Sequence, residues 1–183
     1  PWFARFLVLR ALLLSIELAI PFYAIHAASL HAPSAQNLSA FVVAISLGLV
    51  LSGPIWGRLT DRHGALVTAA AALLAAGAGV LVLVLDQVGD PNAPFFHASL
   101  FLPLSLARAG VVLARTRLLS VNAPAADRPA MIGLSNALLA CVAVVVALLV
   151  GAAGHLHDIR TPLVILILFN IAAALYARRA FAD

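Results

Sequence analysis

Residues 38–85, LSAFVVAISLGLVLSGPIWGRLTDRHGALVTAAAALLAAGAGVLVLVL, decide the fold of this chain. Two apolar stretches, 38–56 and 65–85, flank one short charged connection at 57–64. Each stretch is long enough to cross the hydrocarbon core of a bilayer as an α-helix, which takes about 20 residues. The pattern therefore predicts two membrane-spanning helices joined by a tight turn.

Four further apolar stretches lie outside this run, at 11–28, 95–114, 130–153 and 162–177. The composition agrees, because 64% of the 183 residues are hydrophobic, only 10% are charged, and the mean hydropathy is +1.09. A soluble domain carries about 25% charged residues, so an ordinary water-soluble globule is excluded. The prediction is an all-α integral membrane protein with six transmembrane helices in a single bundle.

The arginines predict the orientation of the six helices. If the N-terminus is cytoplasmic, Arg160 alone lies in an outer loop, Arg108 lies within a span, and the other arginines lie on the cytoplasmic side. Positively charged residues concentrate on that side of membrane proteins. Both termini are therefore expected in the cytoplasm, and the abundance of Ala and Arg without Lys favours a bacterial inner membrane. The membrane edges account for the basic balance, so no nucleic-acid partner is expected. The cytoplasmic set is Arg5, Arg10, Arg58, Arg62, Arg115, Arg117, Arg128, Arg178 and Arg179.

A short repeat indicates how the six helices are organised. Both 57–61 and 154–158 read G-x-L-x-D, and each follows the second helix of a three-helix set. With six spans the two copies lie on opposite faces of the membrane, which is the arrangement of an inverted 3+3 repeat. The prediction is one repeat over about 1–90 and a second over about 91–183.

The residues Gly57, Asp61, Arg62 and Gly64 resemble the loop signature of the major facilitator superfamily, G-x-L-a-D-R-x-G. That signature lies between the second and third helices of a six-helix half, as it does here. The resemblance implies that the four residues form a gating loop of a twelve-helix transporter. The alternative is a helix-capping turn, in which the Asp61 carboxylate favours the positive end of the third helix dipole.

Two features define the extent of the resemblance. Ala65 and Leu66 stand where the family pattern has basic residues, and relaxed copies of the signature are common in the second half of such transporters. The chain also ends in ALYARR, 174–179, with few residues beyond. The C-terminal half is therefore favoured, with an N-terminal half outside this chain as its partner or, as an alternative, a second copy of this chain.

One acid and one arginine lie within predicted spans, where a charge costs about 2.5–3.5 kcal/mol at the bilayer centre and is a functional candidate by default. Glu17 is seven residues after Arg10, and Arg108 is seven residues before Arg115. Since a helix rises about 1.5 Å per residue, the two groups lie at one depth on the first and fourth helices. The resemblance places both beside the central cavity.

We therefore predict that Glu17 and Arg108 line a substrate or proton path, with Asn136 as a further polar candidate. The alternative is a permanent ion pair that pins two helices, which contributes little net stability. The function predicted from these residues is half of a secondary active transporter for a small solute, working by alternating access and driven by a proton or other ion gradient. A six-helix structural or assembly protein is the rival.

Other chemistry is not expected. An intramembrane serine protease would need a His near Ser135 of the Gly133–Asn136 turn, and the sixth span contains none. No cofactor is expected.

Of the six histidines, five lie in outer loops or at outer helix ends, where hydrated side chains are common. The pattern His155-x-His157-Asp158 is not joined by another ligand cluster, so no metal is expected. The predicted partners are the lipid bilayer, a small-molecule substrate and a second six-helix half.

Overall fold

A computed structural model describes residues 2–30, 35–88 and 97–181. These residues form six long α-helices: α1 Trp2–Leu30, α2 Ala35–Arg62, α3 Gly64–Val88, α4 Phe101–Asn122, α5 Arg128–Leu156 and α6 Thr161–Ala180. Five of them, α2 to α6, are long and apolar enough to cross a membrane. The predicted span 11–28 lies within α1, which is 29 residues long and carries Arg5, Arg10 and Glu17. The predicted repeat boundary near residue 90 lies outside the described residues.

The helices pack as a front row and a back pair. In the front row α1 contacts α4, α5 packs against α1, and α2 packs against α4. Behind them α3 and α6 pack against each other, α3 also against α4 and α6 also against α1. The central and the outer helices differ in burial. In α3 and in α4, 56% of the most apolar window is buried, whereas in α2 and in α5 only 11% of it is buried. The outer faces of α2 and α5 are therefore uncovered by the described residues.

Small residues allow the central helices to approach closely. A methyl group added to Gly79 of α3 would collide with the Tyr23 hydroxyl and would lie 2.6 Å from Ile167 Cγ1. Close contact of this kind is what small residues provide between membrane helices, where apolar side chains gain nothing by leaving lipid. Gly48 brings α2 against α4 in the same way, whereas Gly53 and Gly133 have open space.

The two ends of the bundle differ in charge. Arg5, Arg62 and Arg117 surround a pocket of about 330 Å³ together with the last residues of α6, which defines the arginine end. The opposite end, which we call the histidine end, holds His26 at the close of α1 and Asp86 at the close of α3. Consecutive helices thus run in opposite directions between the two ends.

The turn between α2 and α3 is tighter than expected. Only His63 interrupts the two helices, and its amide donates to the Leu59 carbonyl at 2.9 Å. Gly57 therefore lies inside α2, not in a turn, and a side chain there would meet open space. The connection predicted at 57–64 is helical almost throughout because α2 continues for a further turn beyond its apolar segment.

Candidate functional site: an ion pair on the front of the bundle

The front row carries an ion pair between its two central helices. Arg108 Nε donates to Glu17 Oε2 at 2.6 Å, which joins α4 to α1. The sequence placed both groups at one depth, and the structure brings them into direct contact. The side chains are 33% exposed for Glu17 and 49% for Arg108. The pair therefore lies on the open surface of this bundle and is not sealed between its helices.

Arg10 extends this polar stripe toward the arginine end and reaches the third front helix, α5. Its Nη1 donates to Ser135 Oγ at 2.6 Å, and its Nη2 donates to Asn136 Oδ1 at 3.1 Å. Ser135 is fully buried and also donates to the Ile132 carbonyl at 3.0 Å. Asn136, predicted as a member of the path, is exposed and contacts Arg10 rather than the ion pair. The Ser135 hydroxyl is thus hydrogen-bonded to Arg10 and to the backbone of its own helix, whereas a protease nucleophile would be hydrogen-bonded to a histidine.

A shallow pocket lies between Arg10 and the ion pair. Its lining comes from α1, α4 and α5, and its volume is about 30 Å³. A space of this size holds about one water molecule and no solute. This pocket therefore has no room for a solute in the described part of the front row. The lining residues are Arg10, Leu13, Leu14, Glu17, Val111, Arg115 and Leu139.

The predicted gating motif lies at the arginine end, where its acid, Asp61, lies near Arg117. Asp61 belongs to the last turn of α2 and lies 3.9 Å from Arg117 Nη1, measured from Oδ1. Asp61 and Arg62 both belong to α2, so the residue directly before α3 is His63. Gly64 begins α3 and lies near Arg117, whose Cδ would be 3.7 Å from an added methyl. The motif thus links the α2–α3 turn to the end of α4.

The histidine end holds a cluster that the sequence analysis missed. Asp86 Oδ2 is 2.7 Å from His26 Nε2, and Asp86 Oδ1 is 3.3 Å from His97 Nε2. Arg160 Nε approaches the same carboxylate at 3.4 Å from Oδ2. The His26 and His97 side chains are only 1% and 3% exposed, and the Asp86 carboxylate is fully buried.

The described histidines at this end therefore fall into two classes. The expectation that those at outer helix ends are hydrated is wrong for His26 and His97. His155 and His157, by contrast, are exposed, and their hydration stays a prediction. His31 lies outside the described residues. The available signal was Asp86 itself, the one acid in an apolar run that begins at Gly64.

Comparisons with known proteins agree with this architecture. The family model described as Major Facilitator Superfamily matches residues 6–183. The chain belongs to the major facilitator superfamily, and its apolar helices make it an integral membrane protein. That superfamily consists of transporters, which supports a transport role over an enzymatic one.

Two similar proteins come from Mycobacterium. An uncharacterized protein of Mycobacterium bovis and one of Mycobacterium tuberculosis are each 30% identical over 98% of this chain. The chain spans only about a third, 35%, of the length of either protein. No solved structure matches the chain significantly.

Proposed function

We infer that this bundle is one six-helix half, the C-terminal one, of a secondary active transporter that moves a small solute by alternating access. The observation that carries the inference is the Glu17–Arg108 pair, charged and a third to a half exposed on the front row. A charge that faces lipid at the bilayer centre costs about 2.5–3.5 kcal/mol. The pair therefore favours a front surface that meets water and a second bundle.

The packing order supports an inverted repeat behind this surface. If α1, α2 and α3 are exchanged for α4, α5 and α6, the main contacts of the bundle map onto one another. The α2–α4 contact becomes α5–α1, the α3–α4 contact becomes α6–α1, and the α1–α4 and α3–α6 contacts are unchanged. Substrate sites of transporters built from such repeats lie near the membrane midplane.

Three further observations support a second half in front of this one. Nothing in the described ranges 2–30, 35–88 and 97–181 covers the outer faces of α2 and α5. The front pocket is too small for a solute. The mycobacterial relatives are about three times as long as this chain, which leaves room for another bundle. A separate N-terminal half is favoured over a second copy of this chain for that reason.

In this proposal Glu17 carries the coupled proton, and Arg108 holds the Glu17 carboxylate in place. While Glu17 is ionised, Arg108 neutralises it, and protonation of Glu17 releases Arg108 toward an anionic group of the solute or toward water. Because positively charged residues concentrate on the cytoplasmic side of membrane proteins, the arginine end faces the cytoplasmic side of a bacterial inner membrane. The α2–α3 motif and its Asp61–Arg117 contact then close that end in one of the two transport states.

Cysteine accessibility tests whether the front surface meets water. The sole cysteine of this chain, Cys141, is exposed and is first replaced by Ser in full-length protein with any other cysteines also removed. Leu14→Cys lies on the front row, and Ile171→Cys lies on α6 at the same depth, because Ser15 of α1 donates to Asn170 of α6. Ile171 is 39% exposed, so lack of exposure in the bundle cannot protect it.

A membrane-impermeant thiol reagent is added to proteoliposomes that hold each variant. We expect Leu14→Cys to react at least about ten times faster than Ile171→Cys, since a thiol in hydrocarbon has little of the reactive thiolate. Equal and slow labelling at both positions would show that the front surface is dry. The better interpretation would then be that this bundle belongs to a structural or assembly protein.

A further inference from the structure

We propose that the histidine end contains a binding site for a borderline divalent transition-metal ion, represented by Zn²⁺. Its ligands are Nε2 of His26, Nε2 of His97 and one carboxylate oxygen of Asp86. These atoms come from α1, from α3 and from the residues that precede α4. A bound ion would tie the ends of two helices of the first triplet to the start of the second.

The geometry suits such an ion without rearrangement of the helices. The ligand atoms of the three side chains all lie within 4.8 Å of one another. Ligands of a tetrahedral zinc site lie about 2.0–2.1 Å from the metal, so they are roughly 3.3 Å apart. Nε2 of His26 is 2.7 Å from Oδ2 of Asp86, and Nε2 of His97 is 3.3 Å from Oδ1 of the same carboxylate. Small rotations of the side chains would open the space for the ion.

The chemistry of the ligands selects the class of metal. Two imidazoles with one carboxylate suit Zn²⁺ and its neighbours, whereas Ca²⁺ and Mg²⁺ prefer oxygen ligands throughout. Three protein ligands also leave one position open for water, as in catalytic and exchangeable zinc sites. The expected occupant is therefore a borderline ion held by three side chains.

Burial and orientation distinguish this cluster from surface histidines. The His26 ring makes its polar contact through Nε2 alone, since its Nδ1 is buried and has no hydrogen-bond partner in the part of the chain that the structure describes. The ring is thus aimed at the centre of the cluster. Arg160 contacts the Asp86 carboxylate from the partly exposed side, which is the position of an outer-shell group that orients a ligand.

The competing explanation needs no ion. Arg160 and the two imidazoles could satisfy the Asp86 carboxylate by themselves, and the added positive charge of Arg160 would then oppose a cation. Both explanations require a folded cluster, so they differ only in whether the protein binds metal. Metal binding is therefore what the experiment must measure.

The test uses the full-length protein, purified in detergent and stripped with a chelator. Zn²⁺ is titrated in competition with a chromophoric chelator, and the melting temperature is followed with Zn²⁺, Ca²⁺ and Mg²⁺ in turn. We expect Zn²⁺ to raise the melting temperature with concentration, because a ligand that binds only the folded state stabilises it. Ca²⁺ and Mg²⁺ should leave the melting temperature unchanged.

Two sets of variants locate the site. His97→Gln and Asp86→Asn should each weaken Zn²⁺ binding at least about 100-fold, since loss of an outer-shell partner alone costs about 10–100-fold. The matched control is the double variant His155→Gln/His157→Gln, which removes two exposed histidines from the same end of the bundle and should keep the wild-type affinity. Equal Zn²⁺ affinity in His97→Gln and in wild type would overturn the proposal.

A measurement on the unmodified protein covers the case in which a variant does not fold. Co²⁺ bound by two imidazoles and a carboxylate in a four-coordinate site gives intense visible absorption bands, and Zn²⁺ should displace them. Such bands in the wild-type protein and in the His155/His157 control support the site. If they do not appear in folded wild-type protein, the cluster is an ion-pair network and the proposal fails.

Discussion

The two charged groups within this bundle are built in opposite ways. At the histidine end the Asp86 carboxylate is completely buried and its partners come from this chain. On the front row Glu17 pairs with Arg108 among the described residues, and both side chains remain partly exposed. The first group is enclosed by helices of this chain, whereas the second has an open side, which in the proposed function faces water and a second bundle.

If the proposed function is right, this difference separates the group that stabilises the fold from the group that takes part in transport. A buried charge that loses its partner destabilises a protein strongly, because its desolvation is no longer compensated. A hydrated ion pair contributes only about 0–1 kcal/mol. If the front row meets water, the two groups should therefore respond very differently to substitution.

The largest expected effect is at Asp86. Replacement by Ala removes the carboxylate that His26 and His97 contact and leaves the buried imidazoles without it. A buried polar group left without its hydrogen-bond partner costs about 1–3 kcal/mol, so with two imidazoles affected we expect a fall of about 2–5 kcal/mol in the free energy of unfolding. The measurement is reversible denaturation in mixed detergent with a chelator present, which excludes any contribution from metal.

The control for this change is Asp158→Ala at the same end of the bundle. Asp158 is exposed and belongs to the α5–α6 connection. Its loss should change the free energy of unfolding by less than about 0.5 kcal/mol. If the two variants are equally stable, the cluster does not stabilise the fold.

The sequence predicts the helices of this bundle far better than it predicts the cluster. The apolar stretches located each helix because a bilayer permits little besides long helices. The depth of Glu17 and Arg108 followed from the regular rise of a helix and from the arginine seven residues away on each. Both inferences use spacing along one helix, which the sequence contains directly.

The cluster depends instead on how α1 and α3 are rotated against each other. His26 and Asp86 are 60 residues apart, and nothing in their spacing indicates contact. Their contact follows from close approach of α1, α3 and α6 near Gly79, which only the packed structure reveals. The nearness of Asp61 to Arg117 was not predicted for a related reason, because it depends on where α4 ends.

An intermediate effect is expected for Gly48, which faces α4 from α2. A methyl group there would collide with Ser105 Oγ and lie 2.5 Å from the Leu102 carbonyl oxygen. Since a helix backbone cannot yield as a flexible side chain does, Gly48→Ala should cost about 1–3 kcal/mol in the free energy of unfolding. The same denaturation assay measures it.

Gly53→Ala is the matched change on the uncovered face of the same helix. An added methyl there meets nothing within 4 Å. Stability should be unchanged or should rise slightly, because Ala loses less backbone entropy than Gly in a helix. An equal loss of stability in both variants would mean that α2 is not packed against α4 as described.

The smallest change in stability is expected for the ion pair itself. Glu17→Gln leaves Arg108 without its partner, yet a hydrated guanidinium tolerates this, so the free energy of unfolding should fall by no more than about 1 kcal/mol. Transport should respond in the opposite sense. Full-length protein in liposomes loaded with a pH indicator is challenged with a panel of small solutes, and solute-driven proton flux should disappear in Glu17→Gln.

Arg108→Gln and the exchange Glu17→Arg/Arg108→Glu separate a structural pair from a proton carrier. A pair that only pins α1 to α4 would retain its function when the charges are exchanged, whereas a proton site depends on where the carboxylate lies.

A stability loss of about 3–5 kcal/mol in Glu17→Gln, the size expected for a buried pair, would show that the front surface is dry. Unchanged transport and an unchanged pH dependence in that variant would separately exclude Glu17 as the proton carrier. In either case the contrast between the open front row and the closed histidine end would no longer distinguish transport from stability.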